Sequence, residues 1–211
     1  NFSDHGANRL GASALMQGLA DGYFVLPYTI GQYLSTQISK DSISSDMPEF
    51  IDAEKNAKSK MQRIFDVKGN QTVESIHKKL GKIIWDYCGM ARNEHGLKKA
   101  LNLVEDIKNE FWETVNIPGK FNTFNPELDK AGRVIDFIEL GDLMIRDALN
   151  RKESCGGHFR TESQTSTGEA KRQDDQYSYV SAWEFQANKD PKLHQESLVF
   201  DNVKLAERSY K

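Results

Sequence analysis

The stretch from residue 5 to residue 15, His-Gly-Ala-Asn-Arg-Leu-Gly-Ala-Ser-Ala-Leu, places one arginine in a turn flanked by glycines. Gly6 and Gly11 allow a ligand to approach the backbone closely. A helix is predicted to begin near Ala12, and its free N–H groups and positive end face the same point. This arrangement suits an anion, above all a carboxylate that Arg9 holds through two parallel hydrogen bonds. An ordinary surface ion pair of Arg9 is the alternative interpretation.

The other residues that could bind or react have no ligand-like spacing. Cys88 and Cys155 are far apart and form no CxxC pair, so neither a zinc site nor a disulfide framework is predicted. The spacing of His77, His95 and His194 does not suit metal ligation, and we expect all three at the solvated surface. The sequence therefore predicts no metal site. It also contains no GxGxxG fingerprint for a dinucleotide.

The overall composition excludes several classes of protein. The chain has 28 basic and 31 acidic residues, a net charge of −3, which gives no broad attraction to nucleic acid. No run approaches the length of apolar sequence needed to span a membrane. The cysteine usage fits a reducing cytoplasm. The chain lacks an initiator Met and begins only a few residues before the candidate site, which indicates a fragment.

Apolar residues recur every three or four positions along most of the chain, which predicts a mainly α fold. A short helix is predicted from Ala12 to Ala20, and a second helical segment from Gly22 to about Ser39. Pro27 can lie in the first turns of that second segment, where a proline does least harm. The polar connector over residues 35–46 is the best candidate for a domain boundary.

A helical bundle is predicted for residues 46–155. Its periodic apolar segments are 48–68, 72–88, 93–115 and 125–152. Asn93 and Asn125 are suited to cap the last two helices, and Pro126 suits a first helical position. The last helix is apolar over a wide arc, so we expect it to contact the bundle on one side and a neighbouring domain on the other.

The C-terminal region, residues 156–211, is predicted to be a polar loop followed by a small β-hairpin. Gly156-Gly157 ends the last helix, and the following residues to about Gln176 have almost no apolar anchors, which predicts a mobile or partner-ordered loop. The segments 177–185 and 197–203 are richer in aromatic and β-branched residues, with a turn-forming stretch between them. We therefore expect these two segments to pair.

Two of these motifs together resemble a known family. Residues 5–15 resemble the turn that ends the flavin-binding domain in the flavoprotein subunit of succinate dehydrogenase and fumarate reductase, usually HGANRLGGNSLL. The match holds through Gly11, after which Ala, Ser and Ala replace Gly, Asn and Ser. Residues 153–160 resemble the family's ESRGAHxR, with Cys155 in place of its arginine. The resemblance covers essentially the whole chain.

The resemblance implies an architecture and a division of roles. Residues 1–40 would be the helical remnant of the FAD-binding domain, and residues 46–155 the family's spectrin-repeat-like three-helix bundle. Arg9 would bind a carboxylate of succinate or fumarate. The backbone of Ser13, Ala14 and Leu15 would contact the flavin ring, where N–H groups and the helix dipole favour the charge of a reduced flavin.

Three further residues match the family motifs in supporting roles. His5 would shape the turn or contact flavin or substrate. His158 and Arg160 would have a structural role at the seam between the bundle and the flavin domain.

The implied parent protein passes a hydride between a dicarboxylate and FAD, then electrons to an iron–sulfur subunit and a cytochrome b membrane anchor. It would be peripheral on the cytoplasmic side of the inner membrane. The family's FAD-binding fingerprint and other catalytic residues have no counterpart here, so the fragment alone should neither bind FAD tightly nor turn over substrate. One alternative is an L-aspartate oxidase-type flavoprotein. Another, of a different class, is a free-standing helical interaction domain.

Overall fold

The computed structural model is mainly helical, as predicted, with one small two-stranded sheet among the described residues. Contacts between Cα atoms divide the chain into two units, residues 1–58 and residues 59–211. The sequence predicts a finer division into residues 1–40, 46–155 and 156–211. That division stays a prediction. Within the described part of the chain, no helix is both long and apolar enough to cross a membrane. The structure describes residues 13–37, 43–187, 189–202 and 204–206.

The first unit contains a helical stretch in which α1 (Ser13–Ala20) continues through a π turn (Asp21–Val25) into α2 (Leu26–Ser35). Pro27 lies in the first turn of α2 and gives a physical reason for the π turn. A proline ring displaces the carbonyl four residues earlier, and a widened turn relieves that contact. The sequence predicted two helical segments here, and the structure joins them into one stretch.

Large apolar side chains project into solvent along this helical stretch. Leu15 is 79% exposed and Phe24 is 70% exposed. No residue of α1, the π turn or α2 is buried. Isolated proteins rarely expose so many large apolar side chains side by side. We therefore expect another protein surface to cover this helical stretch.

The second unit contains the predicted three-helix bundle, formed by α4 (Val73–Cys88), α5 (Glu94–Thr114) and α6 (Pro126–Asn150), each in contact with the other two. The helix before them, α3 (Pro48–Phe65), begins in the first unit and ends in the second. Its last residues add to the bundle core. The side chains buried there at helical spacing include Ile64, Val73, Ile76, Leu80, Leu97, Ala100, Val104, Ile107, Phe111, Val134, Ile138 and Ile145.

Side-chain caps fix where the bundle helices begin. Thr72 Oγ1 accepts a hydrogen bond from Ser75 N at 3.1 Å, at the start of α4. Asn93 Oδ1 accepts from the N–H of Gly96 at 2.7 Å, at the start of α5. Asn125 caps α6 in the same way. The caps predicted at Asn93 and Asn125 are confirmed, and each satisfies a backbone N–H that has no partner within its helix.

Gly69 lies where the connection between α3 and α4 crosses the end of α5. Its N–H donates to the carbonyl of Val115 at 2.9 Å. A Cβ atom built on Gly69 would lie 2.0 Å from Thr114 O and 2.4 Å from Thr114 Cα. The two backbones therefore approach more closely than any side chain would allow.

We expect Gly69→Ala to lower the free energy of unfolding by about 1–3 kcal/mol, because the backbone must move to admit the methyl group. Gly81 is the matched control: it lies within α4, and beyond its chain neighbours and the nearby backbone of its own helix no described atom lies within 4 Å of its Cβ position. Gly81→Ala should stabilise the chain by up to about 1 kcal/mol through helix propensity. Urea unfolding followed by circular dichroism measures both. Equal changes in the two variants would contradict the close contact at Gly69.

The bundle is followed by a short helix, α7 (Asp174–Tyr177), and an antiparallel hairpin of β1 (Tyr179–Glu184) and β2 (Lys192–Ser197). In the register, Trp183 lies opposite Leu193. Trp183 Nε1 donates to Asp147 Oδ1 on α6 at 2.9 Å, which joins the hairpin to the bundle.

The predicted hairpin is present, but its predicted second strand at 197–203 was wrong. β2 occupies residues 192–197, which places a shorter connection between the strands and lowers the entropic cost of closing it. Most of its side chains are exposed and polar, so its composition does not resemble that of a buried strand. Asn188 and Val203, at the predicted turn and strand end, lie outside the described residues.

Candidate functional site

Only part of the predicted ligand site lies in the described chain. Arg9 and His5 are outside the described residues. Ser13, Ala14 and Leu15 form the first turn of α1. Ser13 and Ala14 are half-buried, and the side chain of Leu15 is exposed. No acidic residue lies in this first turn, so the positive end of the helix dipole is not neutralised from within the turn.

The other predicted residues, His158 and Arg160, lie in a polar cluster at the end of the bundle. Three pieces of chain meet there: the connection between α4 and α5, the C-terminal end of α6, and the segment that follows α6. We name this cluster the polar clasp. It consists of Arg92, Arg151, Glu153, His158 and Arg160.

Arg160 closes the end of α6. Its side chain is 3% exposed, and its Nη1 donates to the carbonyl of Ala148 at 2.9 Å. The last carbonyls of a helix have no partner within the helix, and a buried guanidinium satisfies them. Its Nε donates to Glu162 Oε2 at 3.3 Å. Glu162 Oε1 accepts from the N–H of Glu94, so the same carboxylate links Arg160 to the start of α5.

Arg151 and Glu153 form a largely buried ion pair on the other side of the polar clasp. Glu153 accepts from Arg151 Nη1 at 2.7 Å and from the N–H of Gln173 at 2.8 Å. Arg151 also donates to the carbonyls of Tyr177 and Tyr179, and its guanidinium lies over both aromatic rings. Because each charge has several partners, the pair compensates for the loss of water around it. It connects the end of α6 to the beginning of the hairpin.

His158 joins the two sides of the polar clasp. Its Nδ1 lies 2.9 Å from Nη1 of Arg92, and its Nε2 lies 2.8 Å from the carbonyl oxygen of Arg151. A guanidinium can only donate, so Nδ1 must accept, and the proton must be on Nε2. Burial lowers the pKa of His158, the hydrogen bond to the Arg151 carbonyl raises it, and the charge of Arg92 lowers it further. The geometry therefore holds the imidazole in one neutral tautomer.

The segment from Gly157 to about Gln176, predicted to have almost no apolar anchors, is attached to the bundle by hydrogen bonds. The anchors are polar rather than apolar. Ser163 Oγ donates to the carbonyl of Lys152 at 2.6 Å, and the backbone N–H of Ser154 donates to the carbonyl of Lys171 at 3.0 Å. Glu153, Ser154, Arg160 and Ser163 are all buried. Composition alone cannot detect anchors of this kind, because hydrogen bonds in the fold replace the water that polar residues usually bind.

Cys155, where the family motif has arginine, does not interrupt the polar clasp. Its backbone N–H and carbonyl exchange hydrogen bonds with the backbone of His158 at 2.8 and 3.1 Å. Burial raises the pKa of its thiol, so it is not activated as a nucleophile. The polar clasp takes guanidinium groups from Arg92 and Arg151, and not from the position that Cys155 occupies. The sequence offered one signal for Arg92, its place three residues after Gly89, which follows the aromatic residues at the end of α4.

An apolar groove of about 340 Å³ lies between α4 and α6. Trp85 on α4 and Phe137, Leu140 and Met144 on α6 contribute exposed apolar side chains to it. The wide apolar arc predicted for α6 is thus present, with one side buried in the bundle and the other exposed. Elsewhere in the described chain, no group of three His, Cys, Asp or Glu side chains converges to form a metal site.

Residues 77–210 match the family model described as the fumarate reductase flavoprotein C-terminal domain. An uncharacterized FAD-dependent oxidoreductase of Methanocaldococcus jannaschii is 30% identical over 156 residues, 74% of this chain and 26% of that protein. The fumarate reductase flavoprotein subunit of Haemophilus influenzae is 23% identical over 158 residues, 74% of this chain and 25% of the subunit. An L-aspartate oxidase of Yersinia pestis is also 23% identical, over 74% of this chain and 25% of that enzyme.

Solved structures show the same fold. A mutant FrdA of E. coli quinol fumarate reductase superimposes with a TM-score of 0.72 at 18% identity, over 96% of this chain and 33% of that protein. This chain spans about a quarter of the length of the curated relatives it matches.

Proposed function

The chain belongs to the family of fumarate reductase flavoprotein C-terminal domains, and from that premise we propose that it is the C-terminal part of a longer flavoprotein that interconverts succinate and fumarate. The observation that carries the proposal is the arginine turn at residues 5–15, placed before a bundle that matches the family. The named fumarate reductase and succinate dehydrogenase subunits among the relatives support the same reaction.

Arg9 would hold one carboxylate of the dicarboxylate in a fixed orientation. A planar guanidinium makes two parallel hydrogen bonds to a carboxylate, which restricts the rotation of the bound molecule. That restriction would place the carbon that carries the hydride in line for transfer. The reaction would be faster because the substrate is correctly positioned, and Arg9 itself would not react.

The first turn of α1 fits the edge of a flavin ring. Ser13 and Ala14 have small side chains, so their N–H groups can be approached closely, and the turn carries no acid that would repel negative charge. These N–H groups would stabilise charge on the ring where it is reduced. When bound, FAD would supply the acceptor of the hydride. His5 would support the turn that holds Arg9.

The remainder of the chain would be scaffold. His158 and Arg160 tie the end of the bundle together and have no role in the reaction itself. The exposed apolar side chains of α1, the π turn and α2, and those of the groove between α4 and α6, would be covered by the rest of the flavoprotein. The chain alone, residues 1–211, would therefore be inactive and would not hold FAD tightly. The bundle would occupy residues 46–155 and the tail residues 156–211.

The complete protein would act in an assembly. Similar solved structures are subunits of quinol–fumarate reductase and Sdh complexes. We propose an iron–sulfur subunit and a cytochrome b membrane anchor as partners, as the family resemblance implies, with the flavoprotein peripheral on the cytoplasmic face of the inner membrane.

Substrate turnover by the full-length flavoprotein separates this proposal from an L-aspartate oxidase, which the similarity to the Yersinia pestis enzyme keeps as the second candidate. We expect oxidation of succinate with an artificial electron acceptor, and a kcat/KM for L-aspartate lower by roughly a hundredfold or more, because the ammonium group would be left without partners. A higher kcat/KM for L-aspartate than for succinate would instead assign the protein to the oxidases.

A further inference from the structure

We propose that His158 makes the polar clasp sensitive to pH: as a neutral imidazole it holds three pieces of chain together, and its protonation releases the segment 153–173 from the bundle. This device is separate from the proposed reaction and depends only on the second unit.

The geometry admits one protonation state. His158 accepts from Arg92 at Nδ1 and donates to the carbonyl of Arg151 at Nε2. A protonated imidazole donates from both nitrogens. Its new N–H at Nδ1 would meet the N–H of the guanidinium, so one hydrogen bond would be lost and two positive charges would come into contact.

Three guanidinium groups act on His158, and each of them opposes its protonation. Arg92 comes from the connection between α4 and α5, Arg151 from the end of α6, and Arg160 from its own segment. The nearby carboxylates are directed elsewhere: Glu153 accepts from Arg151 and Gln173, and Glu162 accepts from Arg160 and Glu94. In the segment before the hairpin, Arg172 pairs with Asp174. A protonated His158 would therefore gain no carboxylate to offset burial and repulsion.

The backbone around His158 shows what would open. Arg92 N–H donates to the carbonyl of Phe159 at 3.0 Å, and Thr161 N–H donates to the carbonyl of Arg92 at 2.8 Å. These two bonds attach the segment after α6 to the connection between α4 and α5. The side chain of Arg92 also contacts His158. Repulsion between a protonated imidazole and this guanidinium would therefore act on the residue that makes both backbone hydrogen bonds.

The direction of the effect follows from the lowered pKa. In an opened or unfolded chain, His158 binds a proton near its ordinary pKa of 6.5, whereas in the closed clasp the pKa is lower. The closed form therefore has its full stability above pH 6.5 and loses stability as the pH falls below it.

Hydrogen exchange of the full 211-residue chain between about pH 5 and about pH 8 tests the proposal in the range where histidines titrate. After correction for intrinsic exchange rates, protection of the Arg92 and Thr161 amides should fall by up to about tenfold per pH unit below pH 6.5, the slope for one proton. Val104 in the core of α5 is the internal reference: its exchange requires unfolding of the bundle, so its protection should exceed that of Arg92 and Thr161 at every pH. Constant protection at Arg92 and Thr161 would overturn the proposal.

Two variants separate titration from mere packing. His158→Gln offers one acceptor and one donor that do not titrate, so the pH dependence of Arg92 and Thr161 should disappear. His95→Gln, at an exposed histidine near the start of α5, should keep the wild-type pH dependence. If His158→Gln does not fold, ¹⁵N chemical shifts of the wild-type imidazole give the answer directly. A proton on Nε2 and titration below pH 6.5 support the proposal, and titration at or above pH 6.5 refutes it.

Discussion

Arg9→Ala in the full-length flavoprotein should lower kcat/KM for succinate and for fumarate by roughly a thousandfold or more, with FAD still bound. The variant would lose the two parallel hydrogen bonds that we propose orient the carboxylate, and a misplaced substrate would react far more slowly even if it still entered the site. Steady-state assays in both directions measure the effect, and the flavin absorbance of the purified variant measures its FAD content.

Two further variants make the result specific to the guanidinium. Arg9→Lys keeps the positive charge but cannot make the planar pair of hydrogen bonds, so activity should fall between that of the wild type and that of Arg9→Ala. Arg133 on α6 is exposed and pairs only with a neighbouring acid in its own helix, Asp129. Arg133→Ala should leave turnover unchanged. Near-normal turnover of Arg9→Ala with either dicarboxylate would remove Arg9 from the site.

Arg160→Met should lower the free energy of unfolding of the chain by about 1–3 kcal/mol, the usual cost of leaving a buried acceptor without its donor. Methionine keeps much of the side-chain length but donates no hydrogen bond. The carbonyl of Ala148 would lose its donor, and Glu162 would lose its guanidinium partner. Urea unfolding followed by circular dichroism measures the change.

Arg133→Met is the matched control for this substitution. Arg133 is 68% exposed, and its ion pair with Asp129 has a nitrogen–oxygen distance of 3.0 Å. Such surface pairs contribute at most about 1 kcal/mol. A loss for Arg160→Met no larger than for Arg133→Met would show that the polar clasp does not stabilise the end of the bundle.

The bundle could be predicted because its signals are local. Asn93 and Asn125 cap the helices that follow them, and Phe111 and Ile138 lie at helical spacing with their buried neighbours. Helix periodicity and caps depend on residues a few positions apart, which a single sequence displays directly.

The polar clasp could not be predicted, because its partners are distant in sequence. His158 and Arg92 are 66 positions apart. Polar composition indicates a solvated loop unless the partners are known, and only the fold brings Arg92 beside His158. The predicted position of β2 was wrong for a related reason. Pairing with Tyr179–Glu184 determines where β2 lies, and the composition of β2 itself does not indicate it.

The candidate site depends on a different kind of signal. Arg9 was selected from a short motif and its glycine neighbours, and it lies outside the described residues, so its role stays a prediction. The structure contributes the element beside it: α1 begins at Ser13, with small side chains and no acid in its first turn.

Anaerobic addition of succinate to the oxidised full-length flavoprotein, followed by its visible flavin absorbance, tests the central claim most directly. We predict that succinate bleaches the flavin, that fumarate restores the oxidised spectrum, and that Arg9→Ala with the same FAD content shows neither change. A spectrum that neither dicarboxylate alters, or one that L-aspartate bleaches and succinate does not, would contradict the proposed reaction.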